Sequence, residues 1–380
     1  MNITLKYGCN PHQGNATLGH PDSPLTLLNG QPGYINLLDA LTAWQLVREL
    51  AAASGLPAAA SFKHVSPAGA AVAGPITPEF ARSQFLKTTD LSPVASAYAR
   101  ARGGDRMCSF GDALAVSETV DASLAELLRT EVSDLIIAPG YEPEALEVLK
   151  KKKRGSYLVL QIDPTYEPPT DESRNLFGFT LAQDRNVAEI PPALFDSVDY
   201  DVAQSLLTAT IALKYAQSNS VAVAYDGQVI GLGAGQQSRI HCTRLACTKA
   251  EKWMLQTHPR VIGLEFNKGL TKTDKANAVD QFLLWDDLSS PERDELASKL
   301  VAMPEPLLVE ERSAWVNGFT GQVLSSDAYI PFRDNVDRAA KSGIGHIAHP
   351  GGSVRDEEVI AACEQHGITL IETGIRCFLH

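Results

Sequence analysis

Residues 134–163 read DLIIAPGYEPEALEVLKKKKRGSYLVLQID, and this stretch decides the fold class. DLIIAPG at 134–140 and YLVLQID at 157–163 are short continuous apolar runs bounded by turn residues, as strands buried on both faces are. Between them, about 142–152 reads as a helix that closes in five consecutive cations, Lys150 to Arg154. Cations suit the C-terminal end of a helix dipole, so that run reads as a solvated helix end. Strand, helix, strand in such close order is the mark of an α/β protein.

The same alternation extends in both directions. Upstream, LLDALTAWQLVRELAA predicts a helix from about Asn36, with Leu37, Leu38, Leu41, Trp44 and Val47 near one stripe and Gly55 and Pro57 as the stop. AAASF (58–62) suits a buried strand and runs straight into the polar sequence KHVSPAGAAV. Residues 79–102 read as one helix, GGDRMCSFGD as a glycine-broken loop and 121–131 as a further helix. The first thirty or so residues, rich in Gly, Pro, Asn and His, read as irregular. Downstream, prolines and acids crowd DPTYEPPTDES (163–173) and EIPPALF (189–195), which read as linkers. The pattern then restarts with a helix over 201–217 and VAVAYDGQVIGLG, a strand, an Asp-Gly turn and a second strand. A helix in SRIHCTRLACTKAEKWML follows, then a polar helical stretch at 273–316 that reads as independent of the sheet. Helix 335–342, strand HIAHP, helix 355–366, strand TLIET and the tail GIRCFLH close the chain. The halves share an order of elements without a strong sequence repeat, so a duplicated α/β unit is one reading.

Composition bounds the function. The 380 residues are 44% hydrophobic and 21% charged, an ordinary globular mix long enough for two or three domains or one duplicated unit. Forty-five acids against 33 bases give −12, which argues against coating nucleic acid but leaves room for a small anionic ligand held by one or two local cations. No apolar run reaches the ~18 residues of a membrane span, and MNITLKYGCNPHQG has no apolar signal core, so the expected location is the reducing cytoplasm. Cys9, Cys108, Cys242, Cys247, Cys363 and Cys377 are scattered with no CxxC, and read as free thiols with neither a disulfide framework nor a zinc site.

Lys63 and His64 stand where a strand should end, the place where open α/β sheets put ligands. A lysine holds developing negative charge and a histidine accepts a proton near neutral pH; the plain alternative is a surface Lys beside a hydrogen-bonded His. Pro67, Ala68 and Gly69 would let backbone approach a ligand closely. GLGAGQQSR (231–239) lacks the third glycine and the later acid of a dinucleotide fingerprint. It reads either as an anion-friendly helix N-terminus with Arg239 in its first turn or as a tight turn only. Asp334 is the expected helix cap after SDAYIPFR, and Asp327 and Asp334 flank a segment able to line a pocket. Arg376 and His380 lie in a tail that would fray unless TLIET tethers it. GxxxxGK[ST], GxSxG and metal-ligand spacings are absent.

Eight segments together carry a resemblance: LKYGCNPHQ, INLLDALTAWQLV, SFKHVSPAGAAV, YARARGGDRMCSFGD, VSDLIIAPGYEPEAL, KYAQSNSVAVAYDGQVIGLGAGQQSRIHCTRLA, SSDAYIPFRDNVDRA and RCFLH. They resemble the transformylase part of bifunctional purine-biosynthesis proteins, the 5-aminoimidazole-4-carboxamide ribonucleotide (AICAR) formyltransferase. The resemblance runs from about residue 4 to 380, and long matches such as GAGQQSRIHCTRLA are highly specific. It starts at once, without the family's inosine monophosphate cyclohydrolase domain, so it implies a stand-alone formyltransferase with no ring-closing activity. It also implies two tandem cytidine-deaminase-like three-layer α/β/α units without their zinc, 1–195 and 196–380, the second with a small helical insertion near 273–316. The implied assembly is a homodimer with active sites at the subunit interface.

Carried over by position, the resemblance makes Lys63 and His64 the catalytic pair, with Asn219 beside them. Lys6, Tyr7, Gly111, Asp134, Arg239, Tyr329 and Arg376 would bind AICAR. Lys6 stands where the family more often has Arg, which keeps the charge and loses the planar fork. Met107, Ile240, Pro331, Phe332, Asp334, Asn335, Ser353 and Val354 would bind the cosubstrate 10-formyltetrahydrofolate. His380 matches the family's terminal histidine, while Leu379 departs from a second one. A structural potassium ion near the tail is left open, because Ala216 replaces a hydroxyl ligand. Two other readings compete: a deaminase, which needs a zinc ion and a nearby Glu that KHVSPAG lacks, and a non-catalytic nucleotide- or folate-binding regulator on the same fold.

Overall fold

The computed structural model describes residues 2–20 and 22–380. One mixed 11-stranded sheet organises the chain. Its first half runs outward from the centre as Ser66–Val72, Ala58–Lys63, Asp112–Val116, Ser133–Ala138 and Leu158–Ile162, with Leu25–Asn29 added at the edge. Its second half runs the other way as Gln228–Gly233, Val221–Tyr225, Val323–Ser326, His346–His349 and Thr369–Glu372. The halves have the same connectivity. Each starts with a long helix (Tyr34–Ser54, Tyr200–Lys214), forms an antiparallel hairpin, and lays a helix on it (Pro93–Gly104, Arg239–Leu255). Each then adds one antiparallel strand and two parallel ones through crossover helices. They join where Gln228 pairs with Ala71.

Strand alternation sorts the core. Ala58, Ala60 and Phe62 face Tyr34–Ser54 and Tyr200–Lys214, in one apolar cluster that holds Leu46 and Leu50 together with Leu206 and Ile211. That face is shared across the division expected at 195/196. On the opposite face lie two cores, one around Tyr98, Leu114 and Ile136 and one around Ile230, Trp253 and Ile347, which Ile76 and Phe80 of the first half also join. Small residues let helices approach closely: a Cβ on Gly69 would lie 2.1 Å from the Ala101 carbonyl oxygen, and one on Gly231 2.2 Å from that of Ala246.

Several expectations are corrected. Residues 66–72 form a strand, and Gly69 admits a helix rather than a ligand. Residues 79–102 divide into Pro78–Ser83 and Pro93–Gly104, because Phe85 turns left-handed and Ser92 caps a fresh start through the Ala95 N–H. Leu38 is exposed, while Asp39 in the same helix is buried. The 163–173 linker leads into a protruding hairpin, Asp171–Leu176 with Phe179–Asp184, exposed at every position. The irregular start contains strands Asn2–Thr4, Thr17–Gly19 and Leu25–Asn29. The 273–316 stretch is not independent: its helices Lys272–Leu283, Ser290–Lys299 and Val309–Val316 bury Phe282, Leu296 and Val316 in the second-half core. No described helix is long and apolar enough to cross a membrane.

Candidate active site

Lys63 ends its strand, and His64 and Val65 make the two-residue turn into Ser66–Val72. Both turn residues have positive φ, 55° and 57°. The turn opens on a cavity of about 490 Å³ at the junction of the two half-sheets. Lys63, His64, Ser66 and Cys108 line it from the first half, and Gln217, Leu232, Gly235 and Lys249 from the second. Lys63 Nζ donates to the Phe110 carbonyl. Next to Phe110, Gly111 is left-handed at φ 75°, and the Asp134 carboxylate lies 3.6 Å from where its Cβ would be. Lys63, Gly111 and Asp134 therefore share one corner. Lys153 pairs with Asp134, so one of the five cations reaches the site's edge.

The opposite wall carries charge that the sequence did not reveal. Lys249 pairs with Asp105 at 2.8 Å, and its Nζ is 3.5 Å from the Cys108 sulfur. Burial works against both charges, yet the pairing holds Asp105 below and Lys249 above their usual ranges. Burial and the Asp105 charge push the Cys108 thiol up to about 11, which disfavours the thiolate.

Buried Arg239 holds the half-buried Asn219. Arg239 is only 7% exposed. It pairs with Asp327, donates to the Ser220 carbonyl at 3.1 Å, and donates through Nη2 to Asn219 Oδ1 at 2.9 Å. Asp327 also accepts from the Ser220 N–H and hydroxyl, and its carbonyl accepts from the Cys377 N–H. The tail is thus tethered, and Ser218 and Leu379 exchange hydrogen bonds. TLIET holds it as a half-exposed edge strand. Arg376 stacks over Phe378, which meets His380 edge-on. Among the described residues, no buried side-chain oxygen at 215–220 or in the tail lacks a partner, and Ala216 adds a methyl there.

The glycine-rich turn resolves into separate jobs. Gly231 and Gly233 admit the backbone of the following helix, and Gly235 at φ 68° turns at the cavity. Lys6 and Tyr7 pack on the start of the Tyr34–Ser54 helix: the Tyr7 hydroxyl donates to Asn36, and Lys6 N–H to the Pro32 carbonyl. Tyr329, Phe332, Asp334 and Val354 are exposed. Arg355 stacks on Phe332 at 4.9 Å, which joins the Pro331–Phe332 and Ser353–Val354 segments. Asp334 is not the helix cap; its carboxylate accepts from Asn335 Nδ2, while Asn335, buried, accepts from Thr243. Met107 and Ile240 are half-buried. None of Met107, Ile240, Pro331, Phe332, Asp334, Asn335, Ser353 and Val354 lines the Lys63–His64 cavity within one chain. Among the described residues no group of three or more His, Cys, Asp or Glu is placed to hold a metal ion.

The family model of the AICARFT/IMPCHase bienzyme matches residues 1–249, which include Lys63, His64 and Arg239. The chain belongs to that family. Curated relatives extend the similarity to 99% of the chain: bifunctional purine biosynthesis protein PurH of Roseobacter denitrificans at 31% identity over 391 residues, and that of Magnetococcus marinus at 30% over 392. The protein of the same name from Cereibacter sphaeroides is 29% identical over 389. The chain spans about three fifths of the length of these relatives, 60%, 59% and 59%. Tyr329, Asp334 and Arg376 fall outside the family-model match, while the similarity to the relatives covers 99% of the chain.

Proposed function

We propose that the protein transfers a formyl group from 10-formyltetrahydrofolate to the 5-amino group of AICAR, a step of purine biosynthesis. The observation that carries this reading is the Lys63–His64 turn at the mouth of the cavity, with Gly111 and Asp134 beside it. The amine of AICAR is a weak nucleophile, since the ring and carboxamide draw on its lone pair. As its nitrogen bonds to the formyl carbon, the carbonyl electron pair moves to oxygen and the amine loses a proton. His64 accepts that proton, and Lys63 stabilises the oxyanion. Collapse of the intermediate reforms the carbonyl and releases N10 of tetrahydrofolate, which takes a proton. Asn219, held by Arg239, meets the substrate beside the pair. Lys6, Tyr7, Asp134, Tyr329 and Arg376 bind AICAR; Phe332, Asp334 and the Ser353–Val354 loop bind the folate.

The same reading makes the two repeated halves cytidine-deaminase-like units, supported by their common connectivity. It places the protein in the cytoplasm, where six unpaired cysteines stay reduced. It makes the protein a homodimer. Two observations support that: the folate-side residues lie outside the cavity of their own chain, and the protruding hairpin exposes Phe177 at 96% and Phe179 at 70%. A two-stranded hairpin is marginal alone in water and gains from a partner surface. The test is incubation of purified protein with AICAR and 10-formyltetrahydrofolate. Equal amounts of formyl-AICAR and tetrahydrofolate are expected; AICAR binding without any transfer would favour a regulator.

A further inference from the structure

We infer that Asp39 is a positioning residue: its buried carboxylate anchors the strained His64–Val65 turn and thereby sets Lys63 and His64 at the cavity. As far as activity is concerned, the inference rests on the formyl-transfer reading. A two-residue hairpin with both central residues at positive φ favours Asn-Gly or Asp-Gly. The fold contains its own control. The equivalent hairpin of the second half turns through Asp226 and Gly227, at φ 50° and 68°, the favoured pair. The first half has His64 and Val65 instead, at φ 55° and 57°. A β-branched residue there is a true outlier, and such strain persists only where the surroundings over-determine it.

Asp39 supplies that constraint from another element. It lies in the Tyr34–Ser54 helix, 7% exposed, and its Oδ1 accepts from the Val65 N–H at 2.6 Å. Burial raises its carboxyl above the usual range, while the Val65 N–H and the His64 ring and backbone pull it back down. An acid buried on a helix face otherwise filled by Leu37, Ala40, Ala43 and Trp44 has no packing reason to be there. The same helix carries Tyr7 through Asn36, so one rigid element registers the catalytic turn against the proposed AICAR-binding segment.

The experiment compares Asp39→Ala, Asp39→Asn, Val65→Gly and Asp39→Ala/Val65→Gly, each checked for a native melting transition. Two readouts are used: steady-state formyl transfer, and hydrogen exchange at the Val65 amide. Asp39→Ala should lower kcat by about 10²-fold, as small misplacements of reacting groups do, with the KM for AICAR unchanged. Asp39→Asn keeps an acceptor oxygen and should lose less. Glycine adopts positive φ freely, so Val65→Gly should remain active and should restore most of the kcat lost in Asp39→Ala. A merely structural acid would show no such rescue. Exchange at Val65 should accelerate in Asp39→Ala whether or not formyl transfer is the reaction. Unchanged Val65 exchange, or loss of kcat that Val65→Gly leaves unrepaired, overturns the inference. If the wild type transfers no formyl group but the exchange result holds, the functional reading falls and the anchor stands. Should Asp39→Ala fail to fold, the decision passes to Asp39→Asn, whose Val65 exchange must still exceed the wild-type rate.

Discussion

Replacing Glu131 by Gln should destabilise the protein by about 3 kcal/mol near neutral pH. Glu131 meets three cations: Arg106 at 2.9 Å, Arg102 at 3.2 Å and Lys272 at 2.7 Å. Their fates differ when the charge is removed. Arg102 keeps Asp112 at 3.0 Å. The Lys272 side chain is 25% exposed and finds water. Arg106, with a side chain only 5% exposed, keeps the Gln84 carbonyl and loses its carboxylate. The cost is therefore dominated by one stranded guanidinium. That puts it at the lower end of the roughly 3–5 kcal/mol for breaking a buried pair. The pH dependence gives a second check. Burial pushes the Glu131 carboxyl up, but Arg106, Arg102 and Lys272 outweigh it and hold it at about 2, below its ordinary 4.5. A depressed carboxyl contributes stability that is full above the unfolded value and fades as pH falls through the folded one. The difference between wild type and Glu131→Gln should thus be largest above pH ~5 and shrink towards pH ~2. Urea unfolding followed by circular dichroism measures it. A pH-independent difference below about 1 kcal/mol would refute the argument, since that is the worth of a solvated pair.

Gly69→Ala should cost about 1–3 kcal/mol by overpacking, because its Cβ would meet the Ala101 carbonyl oxygen at 2.1 Å with backbone on both sides; an unchanged melting temperature would contradict this. In the native protein a thiol reagent should react fast only with exposed Cys9, since Cys108 is pushed up to about 11 and Cys242, Cys247, Cys363 and Cys377 are buried; rapid modification of Cys108 would be the contrary result. Phe177→Ser combined with Phe179→Ser should shift sedimentation from dimer to monomer, and an unaltered dimer would place the interface elsewhere.

Local chemistry was legible where one signal acts alone. Val221–Tyr225 and Gln228–Gly233 follow from an Asp-Gly between two apolar runs, and Tyr34–Ser54 ends at the expected Gly55, which is left-handed at φ 69°. Tertiary context hid the rest. The His64–Val65 turn carries no turn residues because Asp39, from a distant helix, holds it, so nothing there marks Ser66–Val72 as a strand. The hairpin at 171–184 has no core face, and without alternation its strands look like linker. At the site, Lys63 and His64 announce themselves by lying together at a strand end. Lys249 and Asp105 do not, since each matters only through a partner far along the chain. The one available signal was a lone acid inside an apolar stripe, as at Asp39.

The most direct test of the central claim is single-turnover formyl transfer by His64→Ala and Lys63→Ala, with AICAR affinity measured on the same preparations. Both variants should bind AICAR, and His64→Ala should transfer about 10²–10⁴ times more slowly, the usual contribution of a positioned base. Lys63→Ala should lose a comparable or larger factor through the oxyanion. Transfer at the wild-type rate by either variant would contradict the account and remove that residue from the reaction.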